Sequence, residues 1–164
     1  MSWFRKTSDG PGPSESADST DTPPPDIEPL TEDEAEWVRS TIAALEEQGV
    51  ERYDIDDLGR HYDELLTGWL RLRGADRPDP DKIITQIGLA FGQLIVNHAG
   101  LEWGVATGPR GVEIALHRAA TAGEVVVYPT SVVSERWYAE QTGMLPALTR
   151  ATIQAVRVEP DDNG

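Results

Sequence analysis

From Thr31 onward the apolar positions recur with a helical period. Trp37, Val38, Thr41, Ile42 and Leu45 share one face, the spacing of an amphipathic helix that buries a single stripe. Thr31 followed by Glu34 forms a capping box, in which each side chain satisfies a backbone N–H at the far end of the first turn. Gly49 supplies the stop. A second helix is predicted from about Asp56 to Arg73, with Leu58, Tyr62, Leu65, Leu66, Trp69 and Leu72 as its stripe and Gly74 at its end. Residues 75–80 read as a turn. Asp79 then caps a third helix, with Pro80 at its first position, where a missing N–H costs nothing.

The third helix breaks the pattern. Ile83, Ile84, Ile87, Leu89, Phe91, Leu94, Ile95 and Val96 are spread around most of its circumference, so it is predicted to be buried on nearly every side. Glycine inside a helix costs about 1 kcal/mol relative to alanine, yet Gly88 and Gly92 stand one turn apart. Being four residues apart they share a face, where two missing Cβ atoms let a neighbouring helix or sheet approach closely.

After Gly100 the period falls to two. Leu101, Trp103 and Val105 alternate with Glu102, Gly104 and Ala106; after a turn at residues 107–111, Val112, Ile114 and Leu116 alternate with Glu113, Ala115 and His117. A third strand is predicted over residues 124–128. Short connections imply antiparallel neighbours, hence a three-stranded meander. Its apolar face is expected to cover the glycine helix or its neighbours, and its Glu102, Glu113 and His117 face to be wetter. Pro129 ends the last strand. Thr130 or Ser131 can cap a helix through about Gln141, and a final helix runs from Pro146 to about Val156. The prediction is α+β: three N-terminal helices, a three-stranded antiparallel meander and two C-terminal helices.

Residues 1–28 carry five of the twelve prolines amid Ser, Thr, Asp and Gly, a composition that cannot repay the entropy of ordering. A disordered arm is expected there, a single globular domain over 29–158 and a frayed tail over 159–164. Trp3 and Phe4, beside Arg5 and Lys6, are the exception within the arm. They suit docking into a groove or touching a membrane, against the plainer reading of an ordinary chain start. The net charge of −15, from 29 acidic and 14 basic residues, repels phosphate backbones and anionic lipid, so nucleic acid is not an expected partner. A basic protein would be steered in, although solubility alone explains the same charge. With no cysteine, disulfides and sulfur-ligated zinc are excluded. No apolar run reaches transmembrane length and no signal-peptide core follows the first residues, so the expectation is a cytoplasmic protein with no membrane span.

The search for chemistry returns little. His61, His98 and His117 form no HxxxH or HxH pair, so the sequence offers no metal clip, and no cofactor motif is present. Asp54, Asp56 and Asp57 resemble the start of a calcium loop, but Leu58 and Leu65 occupy ligand positions. Charge complementing a helix start is the better account. Three residues remain as catalytic or ligand-binding candidates: Glu102, His117 and Arg136. If Trp103 pairs with Leu116, Glu102 opposes His117 on the outer face, and a carboxylate beside an imidazole can prime proton transfer. Arg136, one turn past the last strand, suits either a ligand anion or an internal ion pair.

The ordered set Ile87-Gly-Leu-Ala-Phe-Gly92, Gly100-Leu-Glu-Trp103, Gly111-Val-Glu-Ile-Ala-Leu116, Pro129 and Arg136 resembles a bacterial family, domain of unknown function 3806, over roughly residues 80–140. Its matching positions are Gly88, Gly92, Trp103, Pro129 and Arg136. The resemblance implies a small cytoplasmic bacterial domain and brings no activity, cofactor or catalytic residue with it. The sequence therefore points to a non-enzymatic protein-interaction domain. Two alternatives stay open: a small enzyme or ligand-binding protein with a site where the meander meets the fourth helix, and an immunity-type or inhibitor protein.

Overall fold

Helix α1 (Glu32–Glu47) begins at Thr31, whose hydroxyl accepts from the Glu34 N–H at 3.1 Å while the Glu34 carboxylate accepts from the Thr31 N–H at 2.8 Å. The capping box is therefore closed on both sides. The computed structural model describes residues 25–51, 53–109, 111–118 and 125–157. Around α1 lie strand β1 (Asp26–Pro29), helix α2 (Ile55–Arg71), a 3-10 turn at Gly74–Asp76 and helix α3 (Asp81–Ala99). Strands β2 (Glu102–Gly108), β3 (Gly111–His117) and β4 (Val126–Val127) follow, then helices α4 (Pro129–Tyr138) and α5 (Leu145–Val156). The fold is α+β.

The sheet has four strands in the order β1-β2-β3-β4, all antiparallel, which corrects the three-stranded meander. The added strand, Asp26–Pro29, overlaps the end of the segment 1–28 expected to be a disordered arm; residues 1–24, with Trp3 and Phe4, lie outside the described residues. Ile27 pairs with Ala106 and Pro29 with Gly104. A Cβ placed on Gly104 would come within 2.7 Å of the Ile27 side chain, so Ile27 lies over the glycine. One apolar residue between Asp26 and Glu28 is too short a pattern to announce a strand, and Pro29 is tolerated because the strand is an edge.

The β2–β3 register pairs Trp103 with Leu116 and Glu102 with His117. Leu116 is fully buried, but Val112 at the far end of the same face is 69% exposed. On the other face, expected to be wetter, Ala106 and Ala115 are buried at 2% and 0%. Burial therefore follows position along the hairpin as well as face.

Helix α3 is the central element, with Ile87, Leu89, Phe91 and Ile95 all at 0% exposure. Its two glycines receive the start of α4. A Cβ on Gly88 would meet the Thr130 Cα at 2.7 Å, and one on Gly92 would meet the Trp103 ring at 2.6 Å and the Pro129 ring at 2.9 Å. The neighbour is thus a helix N-terminus together with one aromatic ring of the sheet. At the other end of α4, Trp137 is fully buried against Tyr62 and Trp69, with ring centroids 5.8 and 5.4 Å away. Arg77 lies 4.8 Å over the Trp69 ring and donates to the carbonyls of Trp69, Leu70 and Leu72, satisfying acceptors that the end of α2 leaves open.

The start of α4 departs from expectation. Pro129 stands in its first turn and no side chain caps it. Instead of capping, Ser131 donates to the Glu113 carboxylate of β3 at 2.5 Å. No helix among the described residues is long and apolar enough to cross a membrane.

Candidate functional site

Glu102 and His117 face each other across the β2–β3 ladder, Glu102 exposed and His117 half-buried. No hydrogen bond or ion pair joins them among the described residues. The His117 ring leans across the glycine opposite Ala115, its Cδ2 3.4 Å from where a Cβ of Gly104 would stand. Arg136 lies two turns into α4, half-buried, and its charge acts on the Tyr62 phenol of α2. Burial is the larger influence there and pushes the Tyr62 hydroxyl well above its ordinary value; the hydroxyl donates to the Gln141 carbonyl at 3.0 Å. The structure thus places two of the candidates side by side on the sheet and the third against a helix. Gly88, Gly92, Trp103 and Pro129 meet at the α3–α4 contact and hold the fold together. Among the described residues no group of three or more His, Asp or Glu side chains is placed to hold a metal ion.

A concavity lies at the corner where α1 passes into α2, against α3. Helix α1 ends in a Schellman motif: the Val50 N–H donates to the Leu45 carbonyl at 3.0 Å and the Gly49 N–H to the Glu46 carbonyl at 3.0 Å, with Gly49 at φ 91°. This motif brings Val50 back onto Leu45. With Leu58 of α2 and Leu94 of α3 they form an apolar floor, all at 5% exposure or less. The next helix is fixed from its own side, since the Asp54 carboxylate accepts from the Asp57 N–H at 3.0 Å. The Asp57 carboxylate reaches back to the Glu51 N–H at 2.7 Å. That N–H, followed by the Arg60 guanidinium, holds the Asp57 carboxyl below its ordinary range.

The rim is acidic and aromatic. Glu46, Glu51 and Asp54 are exposed, and Tyr53 is 52% exposed. Arg52 lies outside the described residues. Tyr53 stands at φ 66°, a left-handed conformation that costs a residue with a Cβ about 1–2 kcal/mol. Glu46 and Glu47 occupy the last turn of α1, which carries no basic residue. The helix dipole there is negative, and a carboxylate is disfavoured by about 0.3–1 kcal/mol.

The concavity encloses about 20 Å3, room for about one water molecule. Small-molecule sites enclose roughly 300–1,000 Å3, so this is a surface for laying a side chain across and not a pocket that swallows a metabolite. Its inner wall continues to the sheet, because Gln93 accepts from the Trp103 indole N–H at 3.0 Å and donates to Asn97 at 2.9 Å. Behind it, His61 is buried and pairs through Nε2 with Gln48 Oε1 at 3.2 Å; Gln48 donates to Gln86, and Gln86 to the Thr41 carbonyl. Burial pushes the His61 imidazole below its ordinary value.

Sequence reasoning missed this corner because it read Asp54, Asp56 and Asp57 only as helix-start charge. The corner is built by the packing of α1, α2 and α3, which no single stretch of sequence signals.

The model of the family described as Domain of unknown function (DUF3806) matches residues 71–147. No curated protein and no solved structure matches the chain. The matched segment holds α3, the β2–β4 part of the sheet and α4, while the acidic corner between α1 and α2 precedes it.

Proposed function

We propose that this chain, whose residues 71–147 belong to the DUF3806 family, is a non-enzymatic interaction domain that uses the α1–α2 corner to dock a cationic segment of a partner protein. The observation that carries the reading is the apolar floor of Leu45, Val50, Leu58 and Leu94 ringed by Glu46, Glu51, Asp54 and an exposed tyrosine. A lysine or arginine suits such a surface, its aliphatic stem lying on the floor and its charge reaching the rim. The net charge of −15 steers a basic partner in and repels nucleic acid.

The test is calorimetric titration of the full chain with short synthetic peptides that pair an aromatic anchor with two basic residues, against peptides with acids in their place. Glu51→Lys combined with Asp54→Asn reverses one charge and removes another, and Asn preserves the helix cap. The expected loss of affinity is about tenfold, roughly 1.4 kcal/mol, and wild-type binding weakens as salt is raised. Binding indifferent to both the substitutions and the salt would remove the reading.

A further inference from the structure

We propose that the C-terminal end of α2 carries a second docking surface, opposite in sign to the α1–α2 corner and independent of it, which takes an acidic segment with an apolar anchor from a partner protein. Residues 71–82 hold four of the fourteen basic residues and three of the twenty-nine acids, so the local balance is positive in a chain of net charge −15. The exposed Arg39, Arg60 and Arg150 each pair with a carboxylate. Arg71 and Arg73 are exposed too, yet among the described residues their guanidinium groups make no ion pair and no hydrogen bond. Apolar surface lies beside them. Leu72, between the two arginines, is 41% exposed, and Tyr138 of α4 is 56% exposed. Half-buried Trp69 joins the two elements: its ring meets Tyr138 edge-on with centroids 6.2 Å apart, and its carbonyl accepts from the Leu72 N–H at 3.2 Å.

The platform is held rigid before any partner arrives. The Trp69 indole N–H donates to the Pro78 carbonyl at 2.8 Å, and the Arg77 guanidinium lies 4.8 Å from the ring centroid. A prebuilt surface lowers the ordering cost of binding, and exposed tyrosine and unpaired arginine are residue types that dominate interface energies. A short acidic segment suits it better than an extended polyanion. Salt confines charge effects to about 8–10 Å, so a few carboxylates feel Arg71 and Arg73. A nucleic-acid strand or an anionic bilayer instead meets the repulsion of the rest of the chain. The α1–α2 corner lies at the other end of α2, about 25 Å along the helix, so the two surfaces do not compete.

The probe is a short fluorescent peptide of alternating glutamate and leucine, titrated with the full chain and read by anisotropy. Arg71→Glu with Arg73→Glu should weaken binding about tenfold, while Arg71→Lys with Arg73→Lys should keep it within about threefold. Tyr138→Ala should also cost about tenfold. Should that variant melt early, Leu72→Ser at the exposed end of α2 reads the same apolar anchor. Glu51→Lys with Asp54→Asn, at the α1–α2 corner, should leave this peptide within about twofold, so failure here and failure of the corner are told apart. No binding, or binding indifferent to the Arg71 and Arg73 reversal, overturns the inference. So does a polyuridylate strand or a phosphatidylserine vesicle that binds through these arginines while the peptide does not. Self-association in sedimentation that the Arg71 and Arg73 reversal abolishes overturns it as well, since the occupant is then a second copy.

Discussion

Three glycines in helices, replaced one at a time by alanine, should move stability in different directions. Gly68 is exposed within α2, and a Cβ there meets nothing within 4 Å. Gly68→Ala should gain the intrinsic helix preference, about 1 kcal/mol. At Gly88 the same gain is opposed, because the added methyl would lie 2.7 Å from the Thr130 Cα and 2.9 Å from its methyl carbon. Backbone at the start of α4 cannot rotate away, which puts the cost of overpacking in the upper part of its usual range, about 2–3 kcal/mol. The net expectation is a loss of about 1–2 kcal/mol, a fall of roughly 3–6 °C in Tm. Gly92 is intermediate. Its methyl would meet the outer edge of the Trp103 ring at 2.6 Å and the Pro129 ring at 2.9 Å; the tryptophan can swing aside by giving up its bond to Gln93, worth about 1 kcal/mol, while the proline stays. Urea melts followed by circular dichroism, with unchanged m-values, give the three differences directly. A double-mutant cycle sharpens the case: in a Trp103→Phe background the shorter ring should relieve the part of the cost at Gly92 that the tryptophan imposes, leaving the part due to Pro129. If Gly88→Ala is as stable as wild type, or all three substitutions shift together, the close approach at α3 does not govern this fold.

Three further expectations follow from the same contacts. Because burial lowers the His61 value, the unfolded chain takes up a proton near its ordinary 6.5 that the folded chain refuses. The neutral His61 is therefore fully tolerated above that pH, and stability falls as pH drops from there toward the lowered folded value. His61→Gln should flatten this part of a plot of urea midpoint against pH, and an unchanged slope would contradict it. Arg77→Lys should cost about 1–2 kcal/mol in thermal melts, since lysine cannot both stack on Trp69 and fork to three carbonyls; a neutral result would show that the cap is not needed. Ser131→Ala should cost about 1–2 kcal/mol by leaving the half-buried Glu113 carboxylate without its donor, and Glu113→Gln should cost less because it keeps an acceptor. Equal melts for wild type and Ser131→Ala would show that this link between β3 and α4 contributes nothing.

Much of the architecture was legible in the chain because its causes are local. The Thr31–Glu34 box, the stop at Gly49 and the change of period at Gly100 each act within a few residues. The faces of β2 and β3 were legible too from the alternation, but the register that pairs Trp103 with Leu116 was only one of those the alternation allows. Strand β1 was not. Ile27 has no periodic neighbours, and its pairing depends on a glycine about eighty residues away, Gly104. The role of Ser131 was hidden for a similar reason: a serine after Pro129 looks like a cap until β3 presents Glu113. Gly59 was unremarkable in sequence, yet a Cβ there would meet the Pro146 ring at 2.5 Å, a second close approach that no local pattern signals.

The sequence by itself determined the helices, the faces of the hairpin and the demand that something press against Gly88 and Gly92, because periodicity, capping and a missing Cβ are properties of short stretches. Only the tertiary structure decided what presses there, which strand closes the sheet, and that Leu45, Val50, Leu58 and Leu94 meet beneath an acidic rim. Those outcomes depend on contacts between residues far apart in the chain, set by how α1, α2 and α4 pack around α3.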